Sequence, residues 1–300
     1  MEQLHLVLGM PSSGKSTFIA ALGEVLLSND VESSYKAEIL NGAQGHMIAL
    51  HERWQACEVL ERTKGSKEEW ISFRLVTRGG ERALVRLPDL SGESIRDAVI
   101  AGLYPHELYD ALAACGGVLL FTNTNAKFDD VLLSDVAELL TEEPVAKPAV
   151  PIPQEPVEVS GLELRESNDV LVRPFLAQDM PEQSKVVQLL QTITDFRPVR
   201  RRRIAIMLSA WDTVAQPTTP DEWLHKNRAM LSQYLEHNDS SWDVRVYGVS
   251  AQGGSLPKDK ARLQRIVKPS ERVRIVGHGA SVHDLCAPLA WLMQNQGEPT

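Results

Sequence analysis

The stretch that most restricts the fold lies near the start of the chain, where an apolar run meets glycines, small residues and a lysine. Residues 4–8 (LHLVL) are apolar and partly β-branched, which is typical of a buried strand, and GMPSSGKS follows at once. From Lys15 onward, apolar side chains recur at helical spacing, at Phe18, Leu22 and Val25. The sequence therefore predicts a strand, a tight turn and a helix in direct succession.

The turn has the pattern G-x-x-x-x-G-K-S, which is typical of a loop that wraps a phosphate chain. Backbone N–H groups of such a loop and the N-terminus of the helix attract phosphate oxygens, and small side chains leave room for them. Lys15 is predicted to reach the terminal phosphates, and the Ser16 hydroxyl to bind Mg²⁺. The predicted nucleotide contacts in this loop are Gly9, Met10, Pro11, Ser12, Ser13, Gly14, Lys15, Ser16 and Thr17. The alternative is a glycine-rich turn with a solvated lysine, and the strand and helix on either side favour the phosphate loop.

Composition excludes several other classes of protein. The chain has 300 residues, of which 43% are hydrophobic and 24% charged, as in an ordinary globular protein with a sizeable core. A net charge of −9 argues against nucleic acid or an anionic membrane as the main partner. No apolar run approaches the ~20 residues of a membrane span. Three scattered cysteines predict a reducing compartment, so we expect a cytoplasmic protein with no cysteine metal site.

One region departs from this composition. Residues 141–159 are rich in proline and acidic residues, so they cannot form a helix or a central strand. We interpret them as an extended loop, rather than a proline motif for docking, inside an insertion at about 126–200 of a single domain that spans residues 1–300. The basic run at 197–203 is expected to be a solvated approach to a buried strand rather than a source of arginines for phosphate.

A predicted hairpin supplies a second element of the site. Residues 71–77 and 82–87 flank the turn RGGE, and the second strand ends in LPDLSGE. Asp89 would therefore lie at the carboxyl end of a strand, where open α/β sheets bind their ligands and where a carboxylate can hold Mg²⁺ through water. Gly92 can offer its backbone N–H to a γ-phosphate. The alternative is a plain turn of aspartate, serine and glycine.

Further strands and helices alternate along the rest of the chain. Residues 116–123 and 204–209 are short apolar runs, and residues 242–250 alternate as a strand does. Thr219 and Glu222 form a capping box before a clear amphipathic helix. Strands that alternate with helices predict an α/β fold, with a mostly parallel sheet covered by helices on both faces and one antiparallel strand from the hairpin.

The order of these motifs resembles the Ras-like, translation-factor class of P-loop GTPases. The corresponding segments are Gly9–Ser16, the candidate switch threonine Thr63, Asp89–Gly92, Ser209–Asp212 and Ser250–Ala251. The forms DLSGE, SAWD and HDLCAPLAWL are most similar to those of the bacterial double-GTPase families, which are encoded in conflict and defence gene clusters. The resemblance implies a three-layer domain that binds GTP or GDP with Mg²⁺.

The resemblance also assigns roles to residues beyond the phosphate loop. The Asp212 carboxylate would accept from N1–H and N2–H of guanine, and the N–H of Ala251, next to Ser250, would donate to O6. Thr63 would complete the Mg²⁺ shell together with Ser16 and Asp89, although an exposed loop threonine is an equally good interpretation.

Three departures from the family pattern matter. Ser209 and Ala210 replace asparagine and lysine, which weakens the expected preference for guanine. Trp211 offers a cover for the base, with a core tryptophan as the favoured alternative. Glu93 stands where many relatives carry a glutamine that orients water, and a carboxylate beside a γ-phosphate is repelled by it.

We therefore expect a GTP-binding protein with slow, Mg²⁺-dependent hydrolysis that acts as a switch for a partner protein, which would be an effector or an activator of the GTPase. The catalytic candidates are Lys15, Thr63, Gly92 and Glu93. Two alternatives stay open: an ATP-dependent kinase or ATPase, and a nucleotide-dependent interaction module that does not hydrolyse.

Overall fold

The computed structural model describes residues 3–28, 31, 35–39, 44–60, 70–77, 82–88, 92–125, 180–195, 201–215 and 217–294. In these ranges eight strands form one sheet in the order β2-β3-β4-β1-β5-β6-β7-β8. The strands are β1 (Gln3–Gly9), β2 (Tyr35–Ile39), β3 (Trp70–Thr77), β4 (Arg82–Pro88), β5 (Gly117–Asn123), β6 (Arg202–Ser209), β7 (Trp242–Ser250) and β8 (Arg274–Val276).

Nine helices accompany the sheet in the part of the chain that the structure describes. They are α1 (Lys15–Leu27), α2 (Gln44–Gln55), α3 (Gly92–Ala101), α4 (His106–Ala114), α5 (Glu182–Asp195), α6 (Pro220–Asn227), α7 (Ala229–His237), α8 (Lys260–Gln264) and α9 (Ala287–Met293). Two 3₁₀ turns span Trp211–Thr213 and Pro269–Arg272. No helix in the described ranges is long and apolar enough to cross a membrane.

The direction of the strands confirms the predicted α/β class. Strands β4, β1, β5, β6 and β7 pair in parallel. Strand β3 runs antiparallel to β4, as the hairpin predicts, and also to β2, which the sequence did not indicate. Strand β8 also runs antiparallel, against the end of β7, and the sequence did not indicate it. Only three residues long, it carries too little pattern to be recognised.

Neighbouring residues of the central strands point to opposite faces of the sheet, and both faces are apolar and covered by helices. Leu6 of β1 joins one buried cluster and Val7 joins the other. The first cluster includes Ile95 of α3, and the second includes Phe18 of α1. These two cores confirm the three-layer arrangement, and they place the carboxyl ends of five parallel strands along one edge.

Helix α5 lies within the stretch that the sequence assigned to an insertion. It belongs to the same compact unit as the sheet, and its Val186, Leu189 and Ile193 are buried. The proline-rich loop at 141–159 lies outside the described residues.

Two arginines of the basic run, at the start of β6, are not solvated as expected. Arg202 is buried and donates from Nη1 to the Ile193 carbonyl at 2.6 Å. Arg203 donates from Nη1 to the Trp291 carbonyl at 2.7 Å and pairs with Asp243. The two guanidinium groups thus donate to carbonyls at the ends of α5 and α9. The expectation of a solvated approach is therefore wrong for these residues.

Candidate nucleotide-binding site

The turn between β1 and α1 requires residues without a large side chain. Gly9 and Gly14 have φ angles of 152° and 94°, and Ser12 has 61°. A Cβ on Gly9 would lie 2.7 Å from the Phe121 carbonyl oxygen, and a Cβ on Gly14 would lie 2.7 Å from Cβ of Ser209. Both glycines are thus needed by conformation and by space, and the loop packs directly on β5 and β6.

The Lys15 side chain folds back over this loop. Its Nζ donates to the carbonyl oxygens of Gly9 at 2.6 Å and Met10 at 3.0 Å, and to Oγ of Ser13 at 3.3 Å. Burial lowers the pKa of Lys15 to about 8, and the charge of Glu182 partly opposes that shift. A phosphate bound in the loop would stabilise the charged ammonium, so nucleotide binding and protonation of Lys15 should favour each other.

Two residues that the sequence analysis missed support the loop: Asn123 at the end of β5, and Arg228 between α6 and α7. Asn123 donates from Nδ2 to the Ser12 carbonyl at 3.0 Å, and Arg228 donates from Nη2 to the Asn123 carbonyl at 3.0 Å. The position of Asn123, as the polar last residue of an apolar strand at the edge that binds ligands, is the signal that could have identified it.

The predicted base-recognition segment Ser209–Asp212 meets the loop at the end of β6. Ser209 is buried against Gly14, and none of the described residues bonds its Oγ. Ala210 has a φ of 57°, and its carbonyl accepts from Oγ1 of Thr124 at 3.0 Å and of Thr213 at 2.7 Å. Two threonines thus hold a backbone turn that alanine adopts only under strain.

Asp212 and Ser250 are adjacent in space although they belong to different strand ends. Ser250 donates from Oγ to Oδ1 of Asp212 at 2.6 Å. Ser250 is buried, whereas Asp212 is exposed. The bond orients a solvent-facing carboxylate at the same edge of the sheet as the phosphate loop.

The contacts of Trp211 fit a core role. Its indole packs on Gly248 so closely that a Cβ there would lie 2.4 Å from Cδ2, and it meets Trp223 edge-on with ring centroids 6.4 Å apart. These contacts lie on the face of the sheet that carries the cluster of Leu6 and Ile95.

The segment after β7 is held by contacts that the sequence did not suggest. Trp54 of α2 donates from Nε1 to the Ala251 carbonyl at 2.9 Å. Nε2 of Gln252 is buried, and no acceptor for it occurs among the described residues. A buried amide in this loop is therefore a further candidate for contact with a ligand.

The remaining predicted residues are less fully described. Thr63 and Asp89 lie outside the described residues, and Gly92 and Glu93 are the first two residues of α3. Of the predicted Mg²⁺ ligands only Ser16 lies in a described range, in the first turn of α1. No group of three or more histidine, cysteine, aspartate or glutamate side chains in those ranges could hold a metal ion.

The phosphate loop at the carboxyl edge of a parallel sheet defines a P-loop nucleotide-binding domain of Ras-like architecture. A family model described as Double-GTPase 1 matches residues 6–292, so the chain belongs to that double-GTPase family. This membership supports GTP binding.

Many chains among the solved structures resemble this protein, and one of them is a GTP-binding protein. The crystal structure of an ADP-ribosylation-factor-like GTP-binding protein, also described as the small COPII coat GTPase SAR1, from Encephalitozoon cuniculi in complex with GDP, is 12% identical with a TM-score of 0.35. The match covers 97% of this chain and 78% of that one. No curated protein matches this chain.

Proposed function

We propose that this protein binds GTP and GDP with Mg²⁺ and hydrolyses GTP slowly, as a switch for a partner protein. The observation that carries the proposal is Lys15, whose Nζ lies among the loop carbonyls at 2.6–3.0 Å in a backbone turn built from Gly9 and Gly14. In this arrangement the loop amides and the ammonium would bind the phosphates, and Ser16 would contribute a hydroxyl to Mg²⁺.

Preference for guanine rests on the pair formed by Asp212 and Ser250. A carboxylate held at 2.6 Å by a serine hydroxyl keeps further acceptor capacity for N1–H and N2–H of guanine. Adenine lacks that pair of donors, so bound ATP would leave the carboxylate without them. This favours a GTPase over the ATP-dependent kinase or ATPase that the phosphate loop alone would also fit.

The chemistry of hydrolysis would follow from charge and position. Lys15, the loop amides and Mg²⁺ would stabilise the charge on the transferred phosphoryl group. Thr63 and Asp89 would contribute on the side of the metal, Gly92 would donate its N–H to the γ-phosphate, and Glu93 would lie next to the attacking water. Because an ionised glutamate can only accept hydrogen bonds, we expect slow turnover until a partner supplies a donor.

The partner in this proposal is a protein effector or an activator of the GTPase, in a bacterial defence or conflict system. A cytoplasmic location is part of the same proposal, since the sequence has only three cysteines and they are scattered along the chain.

Calorimetric titration with GTP, GDP and ATP in the presence of Mg²⁺ tests the function directly. We expect GTP and GDP to bind at least about 100-fold more tightly than ATP, which corresponds to roughly 2.7 kcal/mol. Equal affinity for ATP would contradict the guanine assignment. Tight GTP binding without turnover over hours would favour the module that does not hydrolyse.

A further inference from the structure

A hydrogen bond joins helix α2 to the loop that follows β7. Trp54 has 0% of its surface exposed, and its Nε1–H donates to the Ala251 carbonyl at 2.9 Å. The two residues are 197 positions apart in the chain, so the bond joins two distant elements of the fold. A buried indole N–H needs an acceptor, and here the acceptor is a residue of the proposed base-recognition segment.

Arg272 lies close to both of the elements that this bond joins. Its guanidinium lies over the Trp54 ring at 5.4 Å and donates from Nη1 to the Gln55 carbonyl at 3.0 Å. On the other side, a Cβ on Gly253 would lie 2.4 Å from the Arg272 carbonyl oxygen. Arg272 thus contacts the end of α2 and the loop two residues beyond Ala251, which leaves the indole and the loop little freedom to shift.

The backbone N–H of Ala251 lies between two such restraints. On one side Ser250 is tied to Asp212 at 2.6 Å, and on the other the Ala251 carbonyl is tied to Trp54 at 2.9 Å. No bond from the Ala251 N–H occurs within the described ranges. Its neighbours are therefore fixed while the group itself remains able to donate to a ligand.

We propose that Trp54 is a positioning residue for base recognition: by holding the Ala251 carbonyl, it fixes the Ala251 N–H where it meets the 6-position acceptor of the base. The inference rests on the proposed function, because it concerns the base of a nucleotide bound in the same site. It extends that function to a residue of α2, which the sequence motifs do not include.

The chemistry of position 6 explains what this restraint achieves. Guanine presents an oxygen there that accepts a hydrogen bond, whereas adenine presents an amino group that donates one. A fixed N–H lowers the affinity for adenine strongly, because it faces another donor, the 6-amino group. An N–H that can turn away lowers that affinity less. Loss of the Trp54 bond should therefore reduce discrimination at position 6 and leave the contacts of Asp212 with N1–H and N2–H in place.

The chain offers a matched control for this idea. Trp242 is also buried, with 1% of its surface exposed, but no acceptor for its Nε1–H occurs among the described residues. Trp54→Phe and Trp242→Phe therefore make the same chemical change in two buried positions, and only the first removes a hydrogen bond to Ala251.

The test compares GDP with 6-thio-GDP, which keeps N1–H and N2–H but replaces the 6-oxygen by sulfur, a weak acceptor. We expect the wild type and Trp242→Phe to prefer GDP by the same factor. Trp54→Phe should weaken GDP binding about 5- to 10-fold, because the Ala251 N–H is then no longer held towards the 6-oxygen. The ratio of the GDP and 6-thio-GDP affinities should therefore move towards one. Calorimetric titration of each protein with each nucleotide gives these ratios.

The outcomes separate the inference from the proposed function. An unchanged ratio in folded Trp54→Phe would overturn the positioning role, because a purely structural tryptophan would weaken both nucleotides alike. Absence of GDP binding in the wild type would overturn the proposed function and the inference with it. If Trp54→Phe does not fold, Trp54→β-(3-benzothienyl)alanine replaces the N–H by sulfur in nearly the same shape, and the same ratio decides.

Discussion

The two ends of the parallel sheet place their charged side chains in different surroundings. At the carboxyl end, Ser209 packs against Gly14, and none of the described residues bonds the Ser209 hydroxyl. The Lys15 ammonium at the same end donates, among the described hydrogen bonds, only to oxygens of the loop. At the amino end, Arg202 and Arg203 donate to carbonyls of neighbouring helices and close the structure on itself. The charged groups at one end of the strands therefore contact the loop of the proposed site, and those at the other end contact the neighbouring helices.

His5 is a buried titratable side chain at the amino end of the sheet. It lies in β1 beside Gly117, is fully buried, and neither ring nitrogen has a partner in the described part of the chain. Burial lowers the pKa of His5 to about 4, and the charge of Arg203 adds to that effect. The burial of His5 therefore makes stability depend on pH. At the carboxyl end, a bound phosphate would offset the unfavourable burial of the Lys15 charge.

The largest expected effect separates binding from stability at the carboxyl end. Lys15→Ala should weaken GTP binding by about 3–4 kcal/mol, since it removes the charged donor to the phosphates. Because burial opposes the charge of Lys15, the variant without nucleotide should be at least as stable as the wild type. Calorimetry with GTP and thermal unfolding without nucleotide measure the two quantities.

Lys226→Ala is the matched control for that variant, since Lys226 is an exposed lysine in the last turn of α6. It should leave both measurements unchanged. Unaltered GTP affinity in folded Lys15→Ala would refute the phosphate-binding role of the loop.

The next effect belongs to the amino end and concerns pH. The folded-state pKa of His5, about 4, lies below the unfolded value of 6.5, so only the unfolded chain takes up a proton as the pH falls through this window. The contribution of His5 to the free energy of unfolding should therefore fall by about 3 kcal/mol between pH 7 and pH 4. His5→Leu removes this dependence.

Urea unfolding of the wild type and His5→Leu across this pH range tests it, since the dependence on other groups cancels in the difference. Parallel stability curves for the two proteins would show that His5 finds a partner or is hydrated in the native state. GTP affinity should be the same in both proteins, because His5 lies at the end of β1 away from the loop.

A third, smaller effect tests the base contact. Asp212→Asn presents an amide donor where guanine needs an acceptor, and xanthine has a carbonyl at position 2 that accepts from it. Affinity should fall about 10- to 100-fold for GTP and rise for XTP relative to GTP. Competition between the two nucleotides for a fluorescent GDP analogue measures the shift.

Ser250→Ala supports the comparison, because it removes the 2.6 Å bond to Asp212 without changing the carboxylate. It should weaken GTP less than Asp212→Asn does and should not favour XTP. Equal losses for GTP, ATP and XTP in Asp212→Asn would assign the carboxylate to structure rather than to the base.

Much of the carboxyl end could be predicted, because its chemistry is local in sequence. The loop from Gly9 to Ser16 depends on glycines at fixed spacing between a strand and a helix, and the capping box of Thr219 and Glu222 is present as predicted. Strand β7 spans the predicted residues 242–250 because its alternation and its boundaries are both clear.

The parts that escaped prediction depend on contacts between distant segments. Trp54 in α2 bonds Ala251, and Asn123 bonds Ser12 across 111 positions, and no periodicity reports such pairs. Arg202 looks like part of a surface charge run until the fold places it beside the end of α5. Burial of charged side chains is set by tertiary structure, so charge runs alone indicate the wrong environment.

The smallest expected effect concerns Glu93, the second residue of α3. It can accept from water but cannot donate to a γ-phosphate, so it should contribute little to unassisted hydrolysis. We expect a wild-type rate of about 10⁻⁴ to 10⁻² per second, on the scale of unassisted switches.

Single-turnover hydrolysis of GTP by the wild type, Glu93→Ala and Glu93→Gln, with no partner added, resolves the role of this residue. Glu93→Ala should change the rate by less than about twofold, whereas Glu93→Gln, which can donate and accept, should raise it. A wild-type rate above about one per second that is lost in Glu93→Ala would instead make Glu93 a working general base. In that case the carboxyl end would be a complete catalytic site on its own, and the partner would have no chemical group left to supply.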